Sequence, residues 1–163
     1  MTKTLLVVFH SMTGGTRQMA QAAARAAAGQ GVAVRLLQAR EATAEDVLGA
    51  DAYVFATPEN LAAMAGMMKD FFDRTYYAAL GRIEGRAYGL LVCAGSDGSN
   101  AARQVVRIAT GWRLRAVSAP VIVCTHAQAP EAILAPKIIA ADDLARCEEL
   151  GATIAAGLAI GMF

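Results

Sequence analysis

The stretch Thr4–Ala20 (TLLVVFHSMTGGTRQMA) constrains the fold of this chain more than any other. It begins with the apolar run Leu5–Phe9, which is short and β-rich, as expected of a strand buried on both faces. Residues 11–16 then bring three hydroxyls and two glycines, and an alanine-rich helical segment runs from about Thr16 to Ala28. This order predicts a strand, a tight polar turn and a helix.

The polar turn has the features of a phosphate-binding site. The first N–H groups of a helix have no intrahelical partner, and the helix end carries roughly half a positive charge. Glycines let the backbone approach a ligand closely, and Ser11, Thr13 and Thr16 add hydroxyl donors. A simple N-cap by Thr13 or Thr16 is the alternative, although a cap needs only one such residue. The pattern therefore favours a phosphate bound with little or no help from cationic side chains.

The residues of the turn also narrow the class of ligand. A Walker A loop needs a lysine after its glycines, and a dinucleotide fingerprint needs G-x-G-x-x-G; both are absent. The residues that are present resemble the (S/T)-x-T-G-x-T loop that wraps the FMN phosphate in the flavodoxin superfamily. This resemblance implies FMN contacts from Ser11, Met12, Thr13, Gly14, Gly15 and Thr16.

The rest of the chain predicts strands alternating with helices. Apolar runs indicate four further strands, at 32–37, 51–56, 88–94 and 117–124. Helical periodicity indicates helices at 42–49, 63–80, 100–112 and 141–157, with 125–140 left as a loop. The third strand is predicted to end at Thr57–Pro58. One apolar face of the helix at 63–80 is predicted to carry Met64, Met67, Met68, Phe71, Phe72 and Tyr76.

Five strands alternating with helices predict an α/β fold, a doubly wound five-stranded parallel sheet covered on both faces. Pro120 cannot donate to a strand ladder, so the fifth strand belongs at an edge, as in the flavodoxin-like order 2-1-3-4-5. Ligands of such sheets bind beyond the carboxyl ends of the strands. The loops 10–16, 57–63 and 94–100 are therefore expected to converge on one site.

With these loops in place, the whole chain resembles the NAD(P)H-dependent FMN reductase and quinone reductase branch of the flavodoxin-like superfamily, including the WrbA-like proteins. Ala56–Asn60 is similar to the T-P-x loop beside the isoalloxazine ring, and Met68–Arg74 is similar to an M-K-x-F-x-D-R segment. The resemblance implies FMN as cofactor and NAD(P)H as electron donor. It also implies further cofactor contacts from Thr57, Pro58, Glu59, Asn60, Ala94, Gly95, Ser96 and Asp97.

Two departures from the electron-carrier flavodoxins bear on function. Loop 57–63 contains no aromatic residue to stack on a flavin, and the formal net charge is +1 rather than strongly negative. An uncovered flavin face leaves room for a nicotinamide or a quinone, as two-electron transfer requires. We therefore expect a flavoprotein oxidoreductase that passes electrons from NAD(P)H to a quinone or similar acceptor. The alternative is a flavodoxin-type carrier serving a partner reductase. The intact pattern Ser11-x-Thr13-Gly14-x-Thr16, called the phosphate turn below, argues against a domain that has lost its cofactor.

Several single residues are open to more than one interpretation. His10 is interpreted as a hydrogen-bonded loop residue, with donation to a flavin or substrate as the alternative. Cys124 and His126 are interpreted as too few groups for a metal site. Asp97 is expected either to contact the flavin or to form a turn, and Glu59 is interpreted as solvated, with a substrate role as the alternative. The arginines near the fourth helix are interpreted as a solvated face, with the 2′-phosphate of NADPH as the alternative: Arg103, Arg107, Arg113 and Arg115.

Composition sets the remaining expectations. A length of 163 residues without a linker predicts a single domain over residues 1–163. Near-neutral charge gives no reason to expect nucleic-acid binding, and no apolar run reaches the roughly 18 residues of a membrane span. The three separated cysteines are interpreted as reduced core residues of a cytoplasmic protein. Small-molecule substrates are the expected partners, and self-association stays open.

Overall fold

The chain forms a seven-stranded sheet flanked by six helices, and the computed structural model describes residues 1–163. The strands are β1 Thr4–Phe9, β2 Ala33–Gln38, β3 Ala52–Asn60, β4 Ala63–Met64, β5 Ala87–Ala94, β6 Arg115–Ala116 and β7 Val121–Cys124. The helices are α1 Gly15–Ala28, α2 Ala44–Gly49, α3 Gly66–Ala79, α4 Ser99–Gly111, α5 Pro130–Leu134 and α6 Ala141–Ala159. None of the helices combines the length and the apolar character that a membrane span requires.

The strand order confirms the predicted flavodoxin-like topology. The parallel strands run β2-β1-β3-β5, and β6 and β7 both pair in parallel with the outer side of β5. If β4 is left out, β5 is counted as the fourth strand and β6 with β7 as the fifth, this is the predicted order 2-1-3-4-5. The short strand β4 is an addition that pairs antiparallel with the end of β3.

The two faces of the sheet carry different kinds of core. Alternation along β1 places Leu5 and Val7 in one apolar cluster and Leu6 and Val8 in the other. The first cluster includes the alanines of α1 and the buried side of α6, so these two helices pack closely. The second cluster holds most of the large aromatic side chains: Tyr53, Phe55, Phe71, Phe72, Tyr88 and Trp112.

The edge strand differs from the prediction in one respect. Of the strand predicted over 117–124, only the part after Pro120 forms, as β7 Val121–Cys124, while β6 Arg115–Ala116 lies just before the predicted range. Because proline has no N–H to donate, it is excluded from the ladder with β5. Both pieces pair with β5 alone, so the edge position itself is confirmed.

Strand β3 is longer than predicted, because Pro58 does not end it. The N–H of His10 donates to the carbonyl of Ala56 at 3.1 Å, so alternate residues of β3 face β1. Two residues on, the backbone of Pro58 faces the same side as that of Ala56, towards β1. The pairing of β1 with β3, however, already ends at Ala56. No ladder donor is required at Pro58, and the strand continues to Asn60.

Two helical predictions also change. The helix predicted from residue 63 begins at Gly66, since Ala63 and Met64 pair with β3. Met67 and Tyr76 lie on its exposed side, and Thr75 and Ala79 take the buried positions instead. The predicted loop contains the short helix α5, which begins at Pro130, a residue suited to the first turn because it needs no N–H partner there.

The segment Met68–Arg74 has a structural role in this chain. Lys69 pairs with Asp73 and Arg74 with Asp70, each across one helical turn. The Arg74 guanidinium also donates to the carbonyl oxygens of Ala42 and Ala39, at 3.0 and 2.7 Å. It therefore fastens α3 to the loop that joins β2 to α2.

The contact between α1 and α6 gives a stability prediction. A Cβ on Gly151 would lie 2.1 Å from the carbonyl oxygen of Ala23, which is backbone and cannot turn aside. We expect Gly151→Ala to lower the free energy of unfolding by about 1–3 kcal/mol through overpacking. Urea unfolding followed by circular dichroism measures this. Gly111→Ala is the matched control, because no atom lies within 4 Å of its Cβ position; equal stability of both variants would contradict the observed helix contact.

Candidate functional site

A cavity of about 540 Å³ lies at the carboxyl edge of the sheet, where the loops after β1, β3, β5 and β7 meet. All the predicted cofactor-binding residues except Gly14, Thr57 and Asp97 line it. The lining residues that the sequence did not point to are Leu61, Ala62, Cys93, Thr125, Ala127, Ile133, Leu134 and Lys137. The three predicted loops thus form one site, and the segment that follows β7, from Thr125 to Lys137, completes it.

The turn between β1 and α1 leaves its helix start open. Gly14 has a φ of 92°, and its N–H donates to the Ser11 hydroxyl oxygen at 3.1 Å. No side chain caps α1, so the simple N-cap by Thr13 or Thr16 is not formed. The N–H groups of the first helical turn therefore have no side-chain partner, and the hydroxyl residues Ser11 and Thr13 line the cavity beside them.

The start of α1 is held very close to its neighbours. A Cβ on Gly15 would lie 2.7 Å from the Cys93 sulfur and 3.4 Å from Ile139 Cδ1 and Lys137 Cβ. Only glycine leaves room for this approach. The N-terminus of α1 consequently packs against β5 and against the segment that leads into α6.

The loop after β3 is a tight hairpin with an unusual turn. Its two central residues, Leu61 and Ala62, have φ values of 51° and 60°, in the left-handed region that Asn-Gly turns normally occupy. Thr57 is buried; its hydroxyl accepts from the N–H of Ala65 at 3.1 Å and donates to the carbonyl of Pro58 at 2.9 Å. Thr57 therefore shapes the hairpin and does not line the cavity.

Glu59 is not solvated, contrary to the sequence interpretation. One of its carboxylate oxygens accepts from the N–H of Gly98 at 2.9 Å, and the other accepts from the N–H of Ala101 at 3.0 Å. A carboxylate at a helix N-terminus is favourable both as an acceptor and because of the helix dipole. Glu59 thus caps α4 from another loop and joins the second and third loops of the site.

The loop after β5 is held by its own turn and by the loop after β7. Asp97 accepts from the N–H and hydroxyl of Ser99, at 3.3 and 2.8 Å, so it forms a turn and lies outside the cavity lining. The carbonyl of Gly95 accepts from the N–H of His126 at 2.7 Å. Since Thr125 directly follows β7, the rule that placed the other loops at strand ends would also have found it.

The apolar part of the cavity wall is aliphatic. No Phe, Tyr or Trp lines it. Trp112 is only 5% exposed and packs against Phe72 at a centroid distance of 5.4 Å, so it lies in the core rather than at the site. The large apolar side chains that are exposed in the lining are those of Met12, Leu61, Ile133 and Leu134.

The titratable groups near the cavity do not form a catalytic or metal cluster. Burial, and then the positive charge of Arg40, lower the pKa of His10, which lies outside the lining. Burial raises the pKa of the Cys93 thiol, and the positive charge of Lys137 opposes this only in part. No group of His, Cys, Asp and Glu side chains is arranged to hold a metal ion. Cys93 and Cys147 are buried and Cys124 is half-buried; all three are free thiols.

The arginines around α4 do not line the cavity. Arg103 donates to the Asn100 side-chain oxygen at 2.6 Å, and the Asn100 amide in turn donates to the carbonyl of Ala62 in the hairpin. Arg103 is exposed and is linked through Asn100 to the hairpin, whose Ala62 lines the cavity. Arg115 instead stacks over Phe163 at 5.1 Å, on a different part of the molecule.

Comparison with known proteins gives the family of this chain. The model of the family described as NADPH-dependent FMN reductase matches residues 38–129, more than half of the chain. The chain belongs to this FMN-binding, flavodoxin-like oxidoreductase family. It is also 38% identical over 94 residues to a flavodoxin of Aquifex aeolicus (strain VF5), a match covering 57% of this chain and 49% of that protein. The match thus spans about half the length of that curated relative.

Solved structures share the fold over nearly the whole chain. A flavodoxin from the domain Archaea superposes with a TM-score of 0.78 at 21% identity, covering 96% of this chain and 99% of that one. A flavodoxin, WrbA-like protein from Agrobacterium tumefaciens gives 0.74 at 19% identity, covering 98% and 99%. The rubredoxin oxygen:oxidoreductase of Desulfovibrio gigas gives 0.79 at 15% identity, covering 98% of this chain but 37% of that one. These likenesses show the flavodoxin-like fold.

The residues of the cavity fit FMN. The close packing at Gly15, the open start of α1 and the hydroxyls of Ser11 and Thr13 provide room and donors for a phosphate. Apolar lining residues, among them Pro58, Leu61 and Leu134, match a planar heteroaromatic ring.

The Glu59 cap gives the second prediction. Glu59→Ala leaves the N–H groups of Gly98 and Ala101, both buried residues, without an acceptor. We expect the free energy of unfolding to fall by about 1–3 kcal/mol. Glu148→Ala, at an exposed carboxylate with no ion-pair partner, should change it by less than about 0.5 kcal/mol. Urea unfolding of both apoproteins measures the difference, and equal values would mean that Glu59 is solvated after all.

Proposed function

We propose that this protein binds FMN in the cavity and passes electrons from NAD(P)H to a quinone or a similar small acceptor. The observation that carries the proposal is one cavity that joins an open helix N-terminus to an aliphatic, aromatic-free mouth. Bound FMN would supply the capacity to accept a hydride and to release its electrons singly or in pairs. The chain supplies binding, orientation and access.

The phosphate end of the cavity supports a monophosphate rather than a diphosphate. Ser11, Thr13 and Thr16 and the first N–H groups of α1 would hold it. The third loop also contributes Gly95 and Ser96 to the wall, but the start of its helix, α4, is already capped by Glu59 and is not open to a second phosphate.

The mouth of the cavity supports direct access by small molecules. Leu61 and Leu134 line the cavity and are 102% and 77% exposed, so this part of its apolar wall is open to solvent. A nicotinamide or a quinone ring is planar and largely apolar, and apolar walls favour its approach. The exposed guanidinium of Arg103 beside the hairpin supports NADPH, whose 2′-phosphate adds charge for an arginine to bind.

A flavodoxin-type electron carrier is the second candidate. The similarity to the Aquifex aeolicus flavodoxin favours it, as do the exposed aliphatic side chains around the mouth, since exposed apolar patches often mark protein docking surfaces. The carrier would use the same cofactor site but would need a partner reductase.

The phosphate turn gives the third prediction. Thr13→Ala and Thr16→Ala should each weaken FMN binding by roughly tenfold to hundredfold, because each removes a hydrogen bond to a charged group worth about 1.5–3 kcal/mol. Fluorescence titration of the apoprotein with FMN measures the affinity. Thr110→Ala, whose hydroxyl donates within α4 to Val106, is the control. Unchanged affinity in both site variants would mean that the phosphate is bound elsewhere.

The fourth prediction separates the reductase from the carrier. We expect NADPH or NADH alone to bleach the flavin absorbance of the holoprotein, with NADPH the faster, because the mouth is open to a nicotinamide. Anaerobic stopped-flow with each nucleotide measures the rate, and added benzoquinone tests multiple turnovers. If neither nucleotide bleaches the flavin, the carrier is the better description.

A further inference from the structure

Lys137 carries the only formal positive charge on the cavity wall. The other charged side chain in the lining is Glu59, and both of its oxygens are already bound to the N-terminus of α4. The sequence patterns pointed to a phosphate turn without a cation and left Lys137 in a loop. Its place in the site is decided by contacts with residues more than a hundred positions earlier.

The backbone of Lys137 is fixed directly to the phosphate turn. Its N–H donates to the carbonyl of Thr13 at 2.8 Å. The Gln18 amide donates to the carbonyl of Lys137 at 2.7 Å, and the oxygen of the same amide accepts from the N–H of Ile139 at 3.1 Å. Gln18 thus holds this segment on both sides, and Lys137 Cβ lies beside Gly15 at the first turn of α1.

The ammonium group of Lys137 is held at the end of α5, where it donates to the carbonyl oxygens of Ile133 and Ala135 at 2.7 and 2.6 Å. An ammonium group has three N–H donors, so one is left over. Capping α5 is the simpler role of this lysine, but that role alone gives no reason for its backbone to be bonded to the phosphate turn.

We propose that Lys137 is the counter-ion of the FMN phosphate and that it makes the site selective for FMN over riboflavin. A phosphate monoester carries about −1.5 to −2 charges at pH 7, whereas a helix N-terminus supplies only about half a positive charge. One ammonium group on the wall of the same cavity would supply most of the rest, through a charge-assisted hydrogen bond. The inference rests on the proposed function, because it requires FMN to occupy this cavity.

The test compares two flavins that differ only in the phosphate. Apoprotein is titrated with FMN and with riboflavin, following flavin fluorescence, for the unaltered chain and for Lys137→Met, which keeps most of the stem and removes the charge. We expect FMN affinity to fall roughly tenfold to hundredfold and riboflavin affinity to stay within about twofold. Added salt should weaken FMN binding less in this variant than in the unaltered chain.

Further variants separate charge from packing. Lys137→Gln keeps N–H donors for the carbonyl oxygens of Ile133 and Ala135 but has no charge, so it should lose FMN affinity as Lys137→Met does. Lys137→Arg should retain most of the affinity. Lys69→Met is the control, because Lys69 pairs with Asp73 on α3 and lies outside the cavity lining. Urea unfolding of each apoprotein shows that the variants are folded.

The outcomes distinguish this inference from the proposed function. Equal losses for FMN and riboflavin in Lys137→Met and Lys137→Gln would overturn it, since Lys137 would then act by holding α5. Unchanged FMN affinity would overturn it too, while leaving FMN binding itself intact. If the unaltered chain binds neither flavin, the proposed function and this inference are both wrong.

Discussion

The close approach at Gly15 is the contact on which the site depends. With no side chain between α1 and β5, the helix N-terminus lies directly against Cys93 and beside Lys137. A helix start placed this deep at the carboxyl edge brings its unpaired N–H groups to the cavity instead of to bulk water. The left-handed Gly14 just before it turns the chain from strand to helix without a capping side chain. The first turn of α1 is therefore left open to a ligand.

The four loops form one cavity because polar side chains join them in pairs. Gln18 joins the phosphate turn to residues 137–139, and Glu59 joins the hairpin after β3 to the start of α4. Asn100 makes a second bond between α4 and the hairpin. Each of these groups satisfies backbone N–H or carbonyl groups that strand ends and helix ends leave unpaired. The same bonds that complete the backbone hydrogen bonding thus also fix the shape of the site.

The distribution of large and small side chains explains the open mouth. The large aromatic residues are used in the core beneath α3 and α4, where Phe55 contacts Phe72 and Trp112. The core on the opposite face of the sheet is rich in the alanines of α1. Together with Gly151 on α6, these small residues let α1 and α6 pack closely. Aliphatic side chains are left to line the cavity mouth. A mouth lined by aliphatic side chains would leave more room for a planar molecule beside a bound flavin than a mouth covered by stacked aromatic rings would.

The sequence alone determined the fold class and most of the site. Strands buried on both faces have unmistakable apolar runs, and parallel strands must place their carboxyl ends together, so three loops could be assigned to one edge from their order. Pro120 indicated the edge strand because proline has no N–H, which is a property of that residue alone and can be known from the sequence. The same reasoning failed at Pro58, because whether an N–H is needed there depends on where β1 ends beside it.

Only the tertiary structure decided how individual polar residues are used. Glu59 and Asp97 are both carboxylates in loops at the carboxyl edge of the sheet, yet the first caps a helix across the site and the second forms a local turn. Lys137 reaches the phosphate turn through contacts with Thr13 and Gln18 that no local pattern encodes. Periodicity records which side of an element is buried, since burial repeats with the geometry of that element. It does not record which distant group meets a given side chain, because that depends on how the elements pack.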